Sequence, residues 1–392
     1  MQGCPIHTPI PMMIKAFKEG NLNEAGEMLF ENNPMSMICS LVCNHENQCE
    51  GHCVLGRKGE PVHISSIENY VSDTYFDKMQ IPCQPKNGKK VAVIGAGPAG
   101  ITIAILLAKK GYGVTIFDSR DKIGGVLQYG IPAFRLPKSI LERYKLKLRE
   151  IGIKIRPNTT IGGALEIKDL FRDGYQSIFI GTGVWRPKTL GIKGESLGNV
   201  HFAIDYLANP DSYDLGDNVA IIGMGNSAMD VARTALRKGS RRVTLYARGL
   251  TSQASDHETT YAKLDGAELA FGWQPVEIND DGPVFKKILF DEEGNQTGID
   301  PTPVQVQADS VIISISQGPR DRIVSTTKGI EANARGLLIT DEYGRTTRPG
   351  IFASGDVVAG ARTVVEAVEH SKKVAQAMDD YMQGRETAEN AD

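Results

Sequence analysis

Short apolar runs alternate with helix-spaced patterns over most of the chain. Two of these runs, at residues 91–94 and 219–222, each lead into a glycine-rich turn, a helical pattern and a second apolar run. The second runs cover residues 114–118 and 243–246. A strand, a glycine turn, a helix and a further strand form a βαβ unit with parallel strands. The pattern therefore predicts an α/β fold with two doubly wound dinucleotide-binding domains.

The amino-terminal part of the chain has a different pattern. Apolar residues recur at helical spacing over residues 10–19 and 22–32, and again after Ser65 and Ser66. Residues 81–90 contain two prolines and a glycine and have no periodicity, as is typical of a linker. These patterns predict a small helical segment in front of the first βαβ unit.

The first glycine turn has the residues that a dinucleotide site needs. Glycine first permits a tight turn, then lets the backbone approach the pyrophosphate, and finally lets the helix pack on the strand. Asp118 ends the next strand, where a carboxylate can bond ribose hydroxyls. The alternative is a simple glycine-rich turn. The residues of this turn that we assign to the cofactor are Gly95, Ala96, Gly97, Pro98 and Ala99.

The second glycine turn differs from the first at its end. Ala228 replaces the last glycine, and Arg248 stands where the acid of the first unit would be. A guanidinium suits a 2′-phosphate, which favours NADP over NAD, although Gly249 follows where NADP sites often have a second basic residue. The alternative is that Arg248 is solvated surface. The turn itself consists of Gly223, Met224, Gly225, Asn226 and Ser227.

Two different dinucleotide sites in one chain indicate a redox relay from nicotinamide to flavin. Gly355 and Asp356 follow an apolar run, and a helix begins near Thr363 and Val364. We interpret Asp356 as a residue that holds the ribityl or pyrophosphate part of FAD, and the helix end as a positive dipole near the flavin ring. The alternative is a turn without a ligand. Hydride transfer itself needs no acid or base, so the sequence indicates no catalytic residue.

All six cysteines lie within the first 83 residues, and four of them form a dense run. Clustered thiolates are typical of iron–sulfur sites, whereas zinc sites often include histidine, and His45 and His52 lie inside the run. Inert thiols are the third possibility. The neighbouring flavin site favours iron–sulfur, because zinc carries no electrons. The run consists of Cys39, Cys43, Cys49 and Cys53.

Charge and hydropathy exclude several classes of protein. The chain has 44 basic and 47 acidic residues and a net charge of -3, so no basic field favours nucleic acid. No apolar stretch has the roughly 20 residues of a membrane span, and no signal-peptide pattern begins the sequence. We expect a soluble cytoplasmic protein that binds neither nucleic acid nor membrane.

With these motifs the chain resembles the small subunit of glutamate synthase and its relatives. The relatives include the amino-terminal half of dihydropyrimidine dehydrogenase and the large subunit of electron-bifurcating ferredoxin:NADP oxidoreductases. The likeness runs nearly end to end. It is carried by Gly3-Cys4-Pro5, Cys49-Glu50-Gly51-His52-Cys53, the first glycine turn, Gly124-Gly125-Val126, Gly130-Ile131-Pro132, Phe134-Arg135-Leu136-Pro137-Lys138, Gly181-Thr182-Gly183 and Gly355-Asp356.

The resemblance implies a role for particular residues. FAD would be held by the first glycine turn and by Asp118, Val126, Arg135, Ile161, Asp356, Thr363 and Val364. The nucleotide would be held by the second glycine turn and by Arg248, Ser316 and Gln317. One [4Fe-4S] cluster would have Cys4, Cys43, Cys49 and Glu68 as ligands, unless Glu68 is only an exposed helical acid. Relatives carry further cysteines upstream for a second cluster, whereas this sequence begins at Met1, just before Cys4.

These observations together predict an electron-input flavoprotein subunit that oxidises NAD(P)H at FAD and passes electrons to a partner, which could be of the ferredoxin type. Two alternatives stay open: a stand-alone NAD(P)H dehydrogenase without a working cluster, and a non-catalytic assembly subunit. The expected domains are a helical cysteine-rich iron–sulfur domain at 1–85, an FAD-binding domain at 86–212 plus 318–392, and an NAD(P)-binding domain at 213–317.

Overall fold

The computed structural model describes residues 3–385, which fold into two compact units. The first unit contains Met1–Gln128, Ala133–Val184 and Gly318–Asp392. The second unit contains Tyr129–Pro132 and Trp185–Gln317. The first unit is therefore built from the two ends of the chain, and the second unit is inserted between them.

The amino-terminal part of the first unit is helical, as predicted. Its α-helices are α1 (Ile10–Lys18), α2 (Leu22–Asn32), α3 (Ser36–Val42) and α4 (Ile64–Phe76), with 3-10 turns at His45–Asn47 and Val54–Arg57. Met13, Leu29 and Val71 pack together in a small core. The sequence did not predict α3, because this short helix is buried on most of its surface and so lacks the alternation of apolar and polar residues that identifies a helix.

A parallel sheet and its helices follow in the first unit. In chain order the elements are β1 (Lys90–Ile94), α5 (Pro98–Lys109), β2 (Gly113–Phe117), α6 (Val126–Tyr129), α7 (Lys138–Glu150), β3 (Lys154–Arg156), α8 (Ile167–Arg172) and β4 (Tyr175–Ile180).

The second unit has a parallel sheet of its own. In chain order the elements are β5 (Arg186–Pro187), β6 (Val200–Phe202), α9 (Ala203–Ala208), a 3-10 turn (Pro210–Ser212), β7 (Asn218–Ile222), α10 (Asn226–Arg237), β8 (Arg242–Ala247), α11 (Asp256–Leu264), β9 (Glu268–Phe271), β10 (Trp273–Asn279), β11 (Gly282–Phe290), β12 (Gln296–Gln305), β13 (Ser310–Ile313) and β14 (Gln317–Gly318).

The chain then returns to the first unit. The last elements are α12 (Arg322–Thr326), β15 (Ile351–Ala353), α13 (Asp356–Ala359) and α14 (Val364–Gln383). Strand β15 completes the first sheet, whose order is β15-β4-β1-β2-β3, and the second sheet has the order β6-β13-β7-β8-β9. All pairs within both sheets are parallel. The predicted pair of doubly wound sheets is confirmed.

Two features differ from the sequence-based expectation. Strand β6 pairs with β13 in the second sheet, so the second unit begins at residue 185 and not after residue 212. The sequence also did not predict β10, β11 and β12, which form an antiparallel sheet with β12 at one edge. Their burial patterns lack a regular alternation, which is the signal that identifies a half-buried strand.

Within residues 3–385, no helix combines the length and the apolar character that crossing a membrane requires.

Candidate functional site

The first glycine turn joins β1 to α5 and leaves room for a ligand. Gly95 has a φ of +102°, and a Cβ there would lie 2.4 Å from the carbonyl oxygen of Gly181. Gly97 is the residue before α5 and has open space where a Cβ would be. The free N–H groups at the start of α5 therefore face space that a pyrophosphate can enter.

Asp118 comes directly after β2 and lies against the same turn. Its carboxylate accepts a hydrogen bond from the backbone N–H of Ala96 at 2.7 Å and another from that of Arg120 at 2.8 Å. Burial raises the pKa of Asp118, although both amide donors act in the opposite direction. The acid predicted from the sequence is thus held beside the glycine turn.

Two more predicted segments reach this turn. Gly125 precedes Val126, and a Cβ on Gly125 would lie 3.0 Å from the Cα of Gly97. Gly355 has a φ of +75°, and a Cβ there would lie 3.1 Å from the Cβ of Ala99. The structure therefore brings Val126 and Asp356 close to the first glycine turn.

The remaining residues assigned to FAD also lie in the first unit. Ile161 is buried and belongs to the same core cluster as Ile94 and Phe117, the last residues of β1 and β2. Arg135 lies in the segment between α6 and α7. The structure thus connects Ile161 with the ends of these strands through packing.

The start of α14 is rigidly capped. Thr363 precedes the helix, and its hydroxyl and the carboxylate of Glu366 form a reciprocal capping box. Val364 is the first helical residue, and the buried Val365 follows it. Before this helix, Asp356 accepts a hydrogen bond from the backbone N–H of Arg362 at 3.2 Å, and burial raises the pKa of Asp356 to about 6.

The second glycine turn, between β7 and α10, repeats the geometry of the first. Gly223 has a φ of +126°, and a Cβ there would lie 2.1 Å from the carbonyl oxygen of Ser314. Gly225 precedes α10 and, like Gly97, has open space at its Cβ position. The exposed Ser227 and the buried Met224 lie in the same turn.

Arg248 comes directly after β8 and is exposed. The loop after it, residues 249–255, is fixed to the glycine turn. The carbonyl oxygen of Met224 accepts hydrogen bonds from the backbone N–H groups of Gln253 and Ala254, both at 3.1 Å, and from the hydroxyl of Ser252 at 3.2 Å. The side chain of Asn226 accepts a bond from the backbone N–H of Ser255 at 2.9 Å. This loop, which the sequence did not indicate, ties the arginine's strand end to the turn.

Ser316 and Gln317 lie shortly after β13. Ser316 has a φ of +86°, which is unusual for a residue other than glycine, and its carbonyl oxygen accepts a hydrogen bond from the backbone N–H of Lys188 at 3.1 Å. Because Ser314 contacts the second glycine turn, this segment starts next to that turn. A strained residue held by its surroundings is common at binding sites.

A cavity in the first unit brings the predicted cluster ligands together. Residues from four places in the chain line it: the amino-terminal segment, α3 with the turn after it, α4, and the start of α14. The lining includes Cys4, Cys39, Cys43, Cys49, Glu68 and Val365. The sequence-based ligand set is therefore brought together. Cys39, which the sequence indicated only as a member of the cysteine run, and Val365, which it did not indicate, line the cavity too.

The acid and thiols around this cavity are buried enough to favour their neutral forms. Burial raises the pKa of Glu68 to about 8, and Glu68 is only 8% exposed, so it is not an exposed helical acid. Burial also raises the pKa of Cys49 to about 12. A hydrogen bond with Cys39, together with burial, raises the pKa of Cys43 well above its ordinary value. A bound metal centre would offset this cost by taking the place of the protons.

The donor set fits an iron–sulfur cluster. Thiolates are the usual ligands of such clusters, and a buried carboxyl with a raised pKa is a group whose charge a metal would stabilise. Over the described part of the chain, no group of three or more His, Cys, Asp or Glu residues is arranged to hold a single metal ion. Cys53 is not among the residues that line the cavity, and Cys83 is exposed in the linker.

The sequence also matches known families over these same regions. Residues 57–169 and 89–371 match the family described as pyridine nucleotide-disulphide oxidoreductase, so this match covers more than half of the chain. The chain belongs to this oxidoreductase family. Residues 1–80 match a second family, described as dihydropyrimidine dehydrogenase domain II, 4Fe-4S cluster.

Relatives of similar length support this membership of the oxidoreductase family. The small chain of NADPH glutamate synthase from Halomonas elongata is 33% identical, over 97% of this chain and 87% of its own. The corresponding chain from Escherichia coli is 32% identical, over 97% and 88%. The NAD-dependent dihydropyrimidine dehydrogenase subunit PreT from Salmonella typhimurium is 32% identical, over 97% and 90%. The resemblance to glutamate synthase small subunits is confirmed.

Solved structures support the fold alone. Thioredoxin reductase from T. acidophilum has a TM-score of 0.59 at 22% identity, and it covers 76% of this chain and 99% of its own. FprA from Mycobacterium tuberculosis in complex with NADPH has a TM-score of 0.63 at 17% identity, over 77% and 85%.

The family and the site together establish the class of the oxidoreductase. The chain is a flavoprotein oxidoreductase that uses FAD and a pyridine nucleotide, and its amino-terminal segment is of the [4Fe-4S] type. Within residues 3–385, the two glycine turns offer open space and the cysteine-lined cavity offers donors that suit these groups.

Proposed function

We propose that this chain is the electron-input subunit of a larger enzyme, which takes electrons from NADPH and delivers them to a partner subunit through FAD and one [4Fe-4S] cluster. Bound FAD accepts a hydride from a reduced pyridine nucleotide, and a bound [4Fe-4S] cluster carries single electrons onward. The protein contributes binding, orientation and electrostatics.

The first unit would hold FAD. Gly97 leaves open space beside the start of α5, where N–H groups can bind the pyrophosphate. Asp118 is fixed beside this turn, and Asp356 is brought to it by Gly355. The capped start of α14, with Thr363 and Val364, would turn the positive end of a helix dipole towards the flavin. Val126, Arg135 and Ile161 complete the proposed set.

The second unit would hold the nucleotide. Its glycine turn would bind the pyrophosphate, and Arg248 would bind the 2′-phosphate of NADPH. Ser316 and Gln317 would line the same site. The relatives do not decide between nucleotides, because the glutamate synthase chains are named for NADPH and the PreT subunit for NAD. The preference for NADPH therefore rests on Arg248.

The observation that carries the proposal is the composition of the cysteine-lined cavity. Cys4, Cys43, Cys49 and the buried Glu68 line it, and Val365, from the first turn of α14, lines it too. The same helix turn begins at Thr363 and Val364, which we assign to the flavin. One short piece of backbone would thus separate the flavin site from the cluster site, which suits electron transfer between them.

A partner subunit is supported by the names of the relatives, which are chains of multi-subunit enzymes. A cytoplasmic location is supported by the six cysteines, which are all free thiols in the structure, as is typical of a reducing compartment. We keep residues 1–85 as the cluster segment, and propose that the two units correspond to the FAD and nucleotide domains.

Metal analysis of matched cysteine variants tests the proposal. Anaerobically purified protein should contain FAD, iron and sulfide, and NADPH should bleach the flavin absorbance. Cys43→Ala should lose the iron and keep both FAD and the bleaching, since only a cluster ligand is removed. Cys83→Ala, in the exposed linker, should keep its FAD, iron and sulfide and its bleaching by NADPH.

Two results would contradict the proposal. Wild-type protein with FAD but without iron would favour a stand-alone NAD(P)H dehydrogenase. If neither NADPH nor NADH bleaches the flavin of the purified protein, the chain is better explained as an assembly subunit.

A further inference from the structure

Cys39 is a buried thiol that the proposed ligand set does not use. It lies in α3, is 3% exposed, and lines the cavity that Cys4, Cys43, Cys49 and Glu68 also line. A [4Fe-4S] cluster needs four protein ligands, one for each iron. The four thiols and the carboxyl that line this cavity are therefore one donor more than the cluster needs. The extra thiol requires its own explanation.

Cys39 and Cys43 are held together by two hydrogen bonds. They stand one helical turn apart, and the backbone N–H of Cys43 donates to the carbonyl oxygen of Cys39 at 3.0 Å. Their side chains are also hydrogen-bonded to each other. Both are free thiols, so the contact between the sulfurs is not a disulfide.

This contact means that only one of the two sulfurs can be a ligand. The irons of a four-iron cluster are separated by bridging sulfides, so ligands on different irons stand farther apart than two hydrogen-bonded sulfurs. Cys43, at the end of α3, is less buried than Cys39 and lines the cavity together with Cys4, Cys49 and Glu68. Cys43 thus belongs to the ligand set.

The surroundings of Cys39 differ from those of Cys43. Cys39 lies inside α3, directly after Met37 and Ile38, which are fully buried. Cys43 follows the last residue of that helix and is partly exposed. Cys39 is therefore buried more deeply than Cys43.

We propose that Cys39 is a positioning residue for the cluster, whose S–H donates a hydrogen bond to the metal-bound sulfur of Cys43 and raises the reduction potential of the cluster. A hydrogen bond to a ligand sulfur stabilises the reduced cluster, which carries more negative charge, and such bonds are one of the factors that set the potential. The inference rests on the proposed function, because it takes Cys43 as a ligand.

The reduction potential separates this role from a purely structural one. The variants are Cys39→Ala and Cys39→Val, which remove the donor, and Cys39→Ser, which keeps one. Cys83→Ala serves as the control, since it removes an exposed thiol elsewhere. Anaerobically purified protein would be analysed for iron and sulfide, and the cluster potential measured by titration monitored with electron paramagnetic resonance.

We expect all four variants to keep the iron content of the wild type. The potentials of Cys39→Ala and Cys39→Val should shift to more negative values, whereas Cys39→Ser should lie closer to the wild type and Cys83→Ala should match it. Valine fills the site that alanine leaves partly empty, although it adds about one methyl group, so it decides the question if the alanine variant does not fold.

Three results would overturn the inference. An unchanged potential in a folded Cys39→Val or Cys39→Ala variant shows that the thiol does not tune the cluster. Loss of iron in every Cys39 variant, while the wild type keeps it, makes Cys39 a ligand. If the wild-type protein contains no iron, both the proposed cluster and this inference are wrong. The iron analysis of the wild type gives that result before any variant is compared, so the two failures can be told apart.

Discussion

The two glycine turns have nearly the same backbone and different surroundings. Gly95 and Gly223 both have positive φ angles, and a Cβ on either would approach a backbone carbonyl to 2.4 or 2.1 Å. Gly97 and Gly225 both have open space and begin a helix of the same length. The shared part of the structure is therefore the part that a pyrophosphate requires.

The two units differ just beyond their second strands. In the first unit a carboxylate, Asp118, binds the backbone N–H of the glycine turn directly. In the second unit Arg248 stays exposed, and a loop that ends at Ser255 bonds to the turn in place of an acid. The turn thus provides phosphate binding, whereas the residue after the next strand determines which dinucleotide fits.

The largest expected effect comes from blocking each turn in the same way. Gly97→Val should abolish FAD binding, and Gly225→Val should weaken binding of the pyridine nucleotide by about 100-fold or more, because each new side chain occupies space beside a helix start. Flavin absorbance of the purified proteins and nucleotide titrations measure the two losses. Neither backbone position has a positive φ, so the fold should tolerate both changes.

These two variants check each other. Gly225→Val should keep its full flavin content, and this makes it the control for Gly97→Val. A yellow Gly97→Val protein with normal flavin content would refute the assignment of FAD to the first turn.

A smaller effect should come from Arg248→Ala. Loss of a charge-assisted bond to the 2′-phosphate costs about 1.5–3 kcal/mol, which corresponds to about 10- to 100-fold weaker NADPH binding. NADH binding should change little, because NADH lacks that phosphate. Equal losses for both nucleotides in fluorescence titrations would show that Arg248 does not read the phosphate.

The smallest expected effect is on the free energy of unfolding, and one ion-paired acid from each unit tests it. Asp379 of α14 accepts bonds from Lys110 at 2.7 Å and from Tyr112 at 2.6 Å, and its side chain is 8% exposed. Asp265 in the second unit accepts a bond from Arg233 at 2.9 Å, and its side chain is 23% exposed. Asp379→Asn should therefore lower the free energy of unfolding by about 1.5 kcal/mol, and Asp265→Asn by about 0.5 kcal/mol.

The pH dependence of both losses has a definite sign. Burial raises the pKa of Asp379, but the bonds from Lys110 and Tyr112 dominate and hold it below the ordinary value. The bond from Arg237 lowers the pKa of Asp265 in the same way. The stabilisation is thus present above the unfolded pKa of about 4 and is lost as the pH falls through the folded pKa. Urea unfolding at pH 7 and at lower pH measures it, and equal costs at pH 7 would contradict the difference in burial.

Local sequence signals predicted the parts of the fold that depend on neighbouring residues. Gly95 and Gly223 mark strand-to-helix turns because the chain reverses direction there within a few residues. The sequence also indicated a helix start near Thr363, and the structure shows a capping box there, which is a contact within one helical turn. The cysteines were found as a group because their spacing is short.

Contacts between distant residues could not be predicted from the sequence. Strand β6 is short and belongs to the second sheet only through its pairing with β13, so the boundary at residue 212 was misplaced. The bonds from Ser252 and Ser255 to the second glycine turn join loops that no local pattern connects. Cys39 was visible as one of four cysteines, yet its burial, which is deeper than that of Cys43, depends on how α3 packs.

The edge of the antiparallel sheet in the second unit has a consequence for how the protein behaves in concentrated solution. Strand β12 forms that edge and contains Pro301 and Pro303, which have no N–H group to donate. A strand from another molecule would meet an interrupted row of donors there, and this disfavours growth of the sheet into aggregates. A protein that binds this side of the molecule must therefore recognise side chains and not extend the sheet.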